Sequence, residues 1–151
     1  TALAALLLAA ATALPARAQP EGMRIFFTEY GYTELVDRLE QAIKDHDMYL
    51  VTRASASAGA KNRGIEIPGN TVIGVFRNDF ALRMLEASVP AGIEAPIRFY
   101  VTERADGSAT LRYYPPSEVF APYTSGGEKL NELAAELDGI FAAIARQATG
   151  R

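Results

Sequence analysis

Two runs of alternating side chains, residues 97–103 and 109–114, flank the tripeptide Ala105-Asp106-Gly107, and no other stretch constrains the fold as tightly. Asp-Gly between β-forming runs is a strong hairpin signal. Loop length then decides which side chains share a face, because a one-residue slip moves a whole strand's pattern to the other side of the sheet. A two-residue Asp106-Gly107 turn would put Arg112 with Phe99 and Val101, mixing charge into the core. A three-residue loop with Gly107 left-handed sets Phe99 opposite Tyr113 and Val101 opposite Leu111 on one face. On the other face Arg98 meets Tyr114, Tyr100 meets Arg112, and Thr102 meets Thr110. The second register separates apolar from polar cleanly and is the one expected.

The remaining segments supply partners for this hairpin. Residues 24–29 (Arg-Ile-Phe-Phe-Thr-Glu) are rich in β-formers; Gly31-Tyr32 ends them and Thr33 is positioned to cap a helix. Leu35, Val36, Leu39, Ala42, Ile43 and His46 recur at three- and four-residue steps, the stripe of an amphipathic helix. Residues 48–54 alternate as a second strand, and residues 71–76 (Thr-Val-Ile-Gly-Val-Phe) are apolar on both faces, as in a buried central strand. Between them residues 55–70 are small, polar and Gly-rich, a loop length that is often functional. Asn78 or Asp79 can cap a second helix whose inner face is Phe80, Ala81, Met84, Leu85 and Ser88, with Pro90 and Gly92 stopping it. Beyond Pro115-Pro116, the tetrad Ser125-Gly126-Gly127-Glu128 reads as a capping box. A last helix follows, with Leu130, Leu133, Ala134, Leu137, Ile140, Phe141 and Ile144 on one face. The order β-α-β-β-α-β-β-α predicts a single α+β domain: a largely antiparallel sheet of four to five strands with helices on one face.

Residues 1–14 are Ala, Leu and Thr only, and Ala16-Arg17-Ala18 is a small-x-small cleavage signal. About 14 apolar residues suit a signal-peptide core and fall short of the roughly 20 that span a bilayer. The expectation is a secretory signal peptide over residues 1–18, N-terminally incomplete because its basic segment is missing. One periplasmic or secreted domain over residues 19–151 follows, with no transmembrane segment after cleavage. The sequence has no cysteine, which excludes disulfides, thiol nucleophiles and thiolate-held metals. A single histidine excludes a His-rich metal site within one chain. Fifteen Lys and Arg against eighteen Asp and Glu give a net charge of −3, which argues against a nucleic-acid partner.

The block Ile67-Pro68-Gly69-Asn70-Thr71-Val72-Ile73-Gly74-Val75-Phe76-Arg77-Asn78-Asp79-Phe80-Ala81 has further counterparts in Pro90-Ala91-Gly92 and the run from Ala95 to Glu103. Together they resemble the bacterial domain-of-unknown-function 302 family. Asn78 starting a helix, Ala81 three residues on, Gly92 after the helix and Pro96 before a strand occupy the family's places. The likeness covers residues 23–123. It departs at Asp79, where many members carry Pro, and in a longer Gly-rich loop before Ile67. The resemblance implies a small α+β, TT1751-like fold that tends to associate as dimers, and it brings no assigned catalytic residues.

Candidate chemistry lies in three places. Arg77, Asn78 and Asp79 stand where a buried strand becomes a helix, whose N-terminus favours anions; Arg83 could add charge, and Asn70 closes the loop that could face them. The plainer alternative is a helix cap with Arg77 paired to Asp79. The stretch from Gly59 to Gly64 carries a lysine among glycines but lacks the full phosphate-loop pattern and its strand–helix context. His46 falls near a helix end, either as a structural or capping group or as a weak candidate haem ligand, with Met48 or with one histidine from each subunit. Arg98, Tyr100, Arg112 and Tyr114 form a ladder that can be a solvated face, a ligand platform or the interface of a homodimer. No nucleophile–base set is apparent and no cofactor is indicated. The function expected is an exported binding or accessory domain for a small ligand. The alternatives are an enzyme of unrecognised type using the residues around 77–79, or a haem-binding module through His46. Intact-mass measurement of the exported protein should give a chain beginning at Gln19; a membrane-bound form retaining Ala2–Ala18 would contradict this.

Overall fold

The structure is a computed structural model that describes residues 21–151; the expected signal peptide over residues 1–18 lies outside the described residues. Five strands, β1 (Arg24–Gly31), β2 (Tyr49–Ala54), β3 (Asn70–Phe76), β4 (Ile97–Glu103) and β5 (Ser108–Tyr113), form one sheet in the order β1-β5-β4-β3-β2. Every neighbouring pair is antiparallel. Helices α1 (Tyr32–Asp45), α3 (Asn78–Ala87) and α5 (Gly127–Thr149) supply the second layer, and α2 (Ala56–Lys61) and α4 (Pro116–Phe120) are short. The α+β architecture expected from the element order is therefore present. Among the described residues no helix is long and apolar enough to cross a membrane.

The β4–β5 hairpin has the three-residue loop. Phe99 pairs with Tyr113, Tyr100 with Arg112, Val101 with Leu111 and Thr102 with Thr110. The Arg104 amide donates to the Ser108 carbonyl at 2.7 Å, and Gly107 sits at φ +84, a left-handed backbone that glycine adopts without the penalty a Cβ brings. Asp106 fixes the loop further, its carboxylate accepting from both the amide and the hydroxyl of Ser108.

The core is built by this register. Ile97, Phe99, Val101, Leu111 and Tyr113 point inward with Ile73 and Val75 of β3. Against them pack Leu35, Leu39 and Ile43 of α1 and Leu133, Leu137, Phe141 and Ile144 of α5, all fully or nearly fully buried. Phe99 and Phe141 stack with ring centroids 4.9 Å apart, tying the central strand to the longest helix. From α3, Phe80 and Met84 reach the core with Ser88 beside them, while Leu85 is exposed, so the inner face of that helix is narrower than its periodicity predicts.

Helix α1 starts at Tyr32 from a Gly31 cap, so Thr33 lies inside the first turn and caps nothing. The long Gly-rich segment contains α2, because Ser55 accepts the Ala58 amide at 3.1 Å and starts a short Ala/Ser helix. The stretch after Pro115 holds α4. Pro116 stands at its first turn, where a missing N–H costs nothing, and Asp138 of α5 accepts the Ser117 amide at 2.9 Å. The Ser125–Glu128 capping box does not form: a 3-10 turn over Thr124–Gly126 moves the helix start to Gly127, with Gly126 as the cap and no side-chain cap bond.

Gly74 marks the closest approach on the uncovered side of the sheet. A Cβ there would collide with Thr52 Oγ1 and meet Pro96 Cγ at 2.7 Å. Gly74→Ala should therefore cost about 1–3 kcal/mol, the usual range for overpacking. Val101→Asp should cost at least about 3 kcal/mol as a buried unpaired charge, whereas Tyr100→Thr, on the uncovered side, should stay within about 1 kcal/mol. Urea unfolding of the three variants checks the assignment of faces.

Candidate functional site

Side chains that alternate with the core residues emerge on a sheet face that α1, α3 and α5 leave uncovered. One row crosses four strands: Val72 of β3, Tyr100 of β4, Arg112 of β5 and Ile25 of β1 are successive cross-strand neighbours. Arg98 and Tyr114 lie beside this row, and Phe27 and Tyr49 extend the exposed aromatic surface towards the two sheet edges. Antiparallel pairing puts Tyr100 and Arg112 directly opposite one another and within side-chain reach. At the end of the sheet this face runs into a cleft of about 240 Å³ with a mostly apolar wall.

The cleft is assembled from four elements and the segment before β1. Arg98, Tyr100, Arg112 and Tyr114 come from the hairpin, Val72 from the central strand, Val119 from α4, Met23 from the lead into β1, and Glu94 from the 3-10 turn at Pro90–Glu94. Arg112 is held by a hydrogen bond it donates to Thr102 Oγ1 at 2.6 Å, which leaves most of its five N–H donors unused. Among the described residues no carboxylate lies within 4 Å of the Arg98 or Arg112 guanidinium. Glu94 brings a negative charge to the wall, and its Oε1 accepts from the Tyr123 hydroxyl at 2.6 Å. That bond, with burial, raises the phenol's pKa above its ordinary value. Burial likewise raises the Tyr113 phenol behind the cleft. Such a wall can bind an anion by charge-assisted hydrogen bonds and hold a flat apolar body against rings and guanidinium planes.

The residues at the start of α3 are arranged differently. Arg77 donates to both carboxylate oxygens of Asp79, at 2.7 and 3.0 Å. Its guanidinium also lies 4.1 Å from the centroid of Phe80. Arg83 pairs with Glu136 of α5 at 2.8 Å. Arg77 is the cap residue of α3 and no side chain closes the cap, so Asn78, exposed at the first helical position, and Asp79 in the first turn do not cap it as expected. Asn70 stands at the opposite end of β3, about 20 Å away by the rise of an extended strand. There its side chain accepts from the Ala56 amide and donates to the Pro68 carbonyl, while its carbonyl takes the Ser55 hydroxyl at 2.6 Å. The fold thus separates Asn70 from Arg77, Asn78, Asp79 and Arg83. His46 is half-buried at the end of α1, where its amide closes on the Ala42 carbonyl, and Met48 is buried in the core. Lys61 ends α2 on an exposed surface.

The alternation puts Arg98, Tyr100, Arg112 and Tyr114 on one face, whereas the cleft itself has no signature in the sequence. Val72 could have been found by extending the alternation to β3. Glu94, Val119 and Met23 carry no such signal, because tertiary packing alone brings them there.

A family model, domain of unknown function DUF302, matches residues 23–145. A crystal structure of an uncharacterized conserved DUF302 protein from Bacillus stearothermophilus superposes with a TM-score of 0.72 at 18% identity, covering 84% of this chain and 98% of that one. At that identity the likeness speaks for the fold. No curated protein matches the chain.

The Arg77 hydrogen bonds and charge hold the Asp79 carboxyl below the ordinary Asp value. Any stability from this pair is present above the unfolded pKa of about 3.9 and is lost as pH falls through the lower folded value. Carboxyl-carbon NMR titration should find Asp79 titrating below that value, and Arg77→Ala should return it upward. An unchanged Asp79 in the variant would show that the pair does not persist in solution.

Proposed function

The chain belongs to the DUF302 family, whose function is unknown, and from that premise we propose that it is a small exported binding or accessory domain whose ligand occupies the Arg98–Arg112 cleft. One observation carries this reading. Two guanidiniums without a carboxylate partner among the described residues line a mostly apolar cleft of about 240 Å³. Concave, largely apolar sites with a few convergent polar groups are the usual form of a small-molecule site. Arg77 and Arg83 support a ligand site less well, since Asp79 and Glu136 already engage them. Export is supported by the Ala/Leu-rich run over residues 1–14 and by Ala16-Arg17-Ala18. The groups around the cleft suit holding a ligand: its one carboxylate, Glu94, is engaged by the Tyr123 hydroxyl, and the arginines, the other tyrosines and the apolar side chains supply binding contacts.

A homodimer is a second reading, favoured by the exposure of Phe27, Tyr49 and Tyr100 on one face, 51%, 64% and 40%. An isologous pairing of two such faces would set each arginine against the partner's tyrosines. A specific interface buries about 1,200–2,000 Å² in total, an area that the hairpin face together with its flanking aromatics could approach.

Native mass spectrometry of the protein purified from its own compartment tests both. A small bound mass, lost in the Arg98→Ala/Arg112→Ala double variant, is expected. A bound mass retained in that variant would move the site elsewhere, and a monomer at micromolar concentration would remove the dimer reading.

A further inference from the structure

The cleft's size, flat walls and single unbalanced charge narrow what it can hold, and, resting on the ligand-site reading above, we propose that its ligand is a small aromatic monocarboxylate. A cleft of about 240 Å³ lies near the lower end of small-molecule sites, which run to about 300–1,000 Å³, and suits one substituted ring. Planar groups line much of the cleft. Tyr100 and Tyr114 contribute rings, Arg98 and Arg112 contribute guanidiniums, and the hairpin register interleaves the two kinds. Aromatic faces and guanidinium planes both stack on flat π-systems, and Val72, Met23 and Val119 supply apolar surface for the ring's edges.

The charge pattern selects one carboxylate. A guanidinium fork matches a carboxylate in bidentate geometry, and the Thr102 bond holds Arg112 in place to offer it. Arg98 and Arg112 together against Glu94 leave the wall one net positive charge, which a single carboxylate neutralises; a second negative charge would be uncompensated in a mostly apolar cleft. A phosphate ester, carrying about −1.5 to −2 at pH 7, is disfavoured for the same reason. A neutral ring would leave the guanidiniums without an anion.

Isothermal titration calorimetry at low salt decides the matter with four probes: benzoate, benzamide, cyclohexanecarboxylate and inorganic phosphate. Benzoate is expected to bind once per chain, about tenfold or more tighter than neutral benzamide, as loss of a charge-assisted contact implies. It should also bind about fivefold tighter than cyclohexanecarboxylate, which keeps the charge and the carbon count but not the plane. Arg112→Gln should erase the preference for benzoate over benzamide, and Tyr114→Leu should narrow the gap to cyclohexanecarboxylate; Tyr100→Leu serves where Tyr114→Leu fails to fold. Cyclohexanecarboxylate binding as tightly as benzoate overturns the aromatic assignment while leaving an anion-binding cleft. Phosphate binding more tightly than benzoate overturns the monocarboxylate assignment alone. Benzamide matching benzoate overturns the carboxylate assignment while leaving a binding cleft, and benzoate binding untouched by Arg112→Gln overturns this proposal and the ligand-site reading together.

Discussion

The left-handed backbone at Gly107 sets the direction in which every residue of the central hairpin points. With three residues in the loop, Phe99, Val101, Leu111 and Tyr113 turn towards the helices, and Arg98, Tyr100 and Arg112 turn away. One residue fewer would exchange those sets on one strand, bury a guanidinium among phenylalanines and leave an aliphatic side chain in water. The sheet's two faces, the seat of α5 and the wall of the cleft all follow from that one loop. Asp106 reinforces it by accepting from Ser108, which keeps the Asp106 carboxyl below its ordinary pKa.

The helices explain why one face stays open. Helix α5 spends its apolar stripe on the inner face, where Phe141 stacks on Phe99 and Leu130, Leu133 and Ile144 are buried. Helix α1 lies beside it, and Arg38 locks the two by donating to the Ala148 carbonyl while its guanidinium rests over Tyr30. The short α4 is pinned to α5 through Ser117 and Asp138 and thereby delivers Val119 to the edge of the open face. Packing on one side of the sheet thus shapes the wall of the cleft on the other.

Most of the architecture was legible because it rests on periodicity and turn chemistry. The stripe of α1, the buried run of β3 and the hairpin register all follow from patterns within a few residues of one another. The Thr33 cap and the Ser125–Glu128 box were misread because Gly31 and the Thr124–Gly126 turn shift each helix start relative to a plausible capping side chain. Helices α2 and α4 were hidden in stretches whose composition is that of loops; a Ser cap and a Pro at the first turn are weak signals over five or six residues. The candidate site was legible only in its hairpin half. Tyr100 and Arg112 are neighbours by register, whereas Glu94 and Val119 reach the same cleft through tertiary packing, and no spacing in the chain announces them.

The central claim is that the Arg/Tyr face of the hairpin, and not the start of α3, is the surface this domain uses. Chemical-shift mapping by two-dimensional ¹⁵N NMR, with the arginine Nε–Hε signals included and benzoate as the titrant, tests it most directly. The expected result is a contiguous set of shifts at Arg98, Tyr100, Arg112, Tyr114 and Val72, with Asn78, Asp79 and Arg83 unmoved. Shifts centred on Arg77–Arg83, with the hairpin silent, would contradict it.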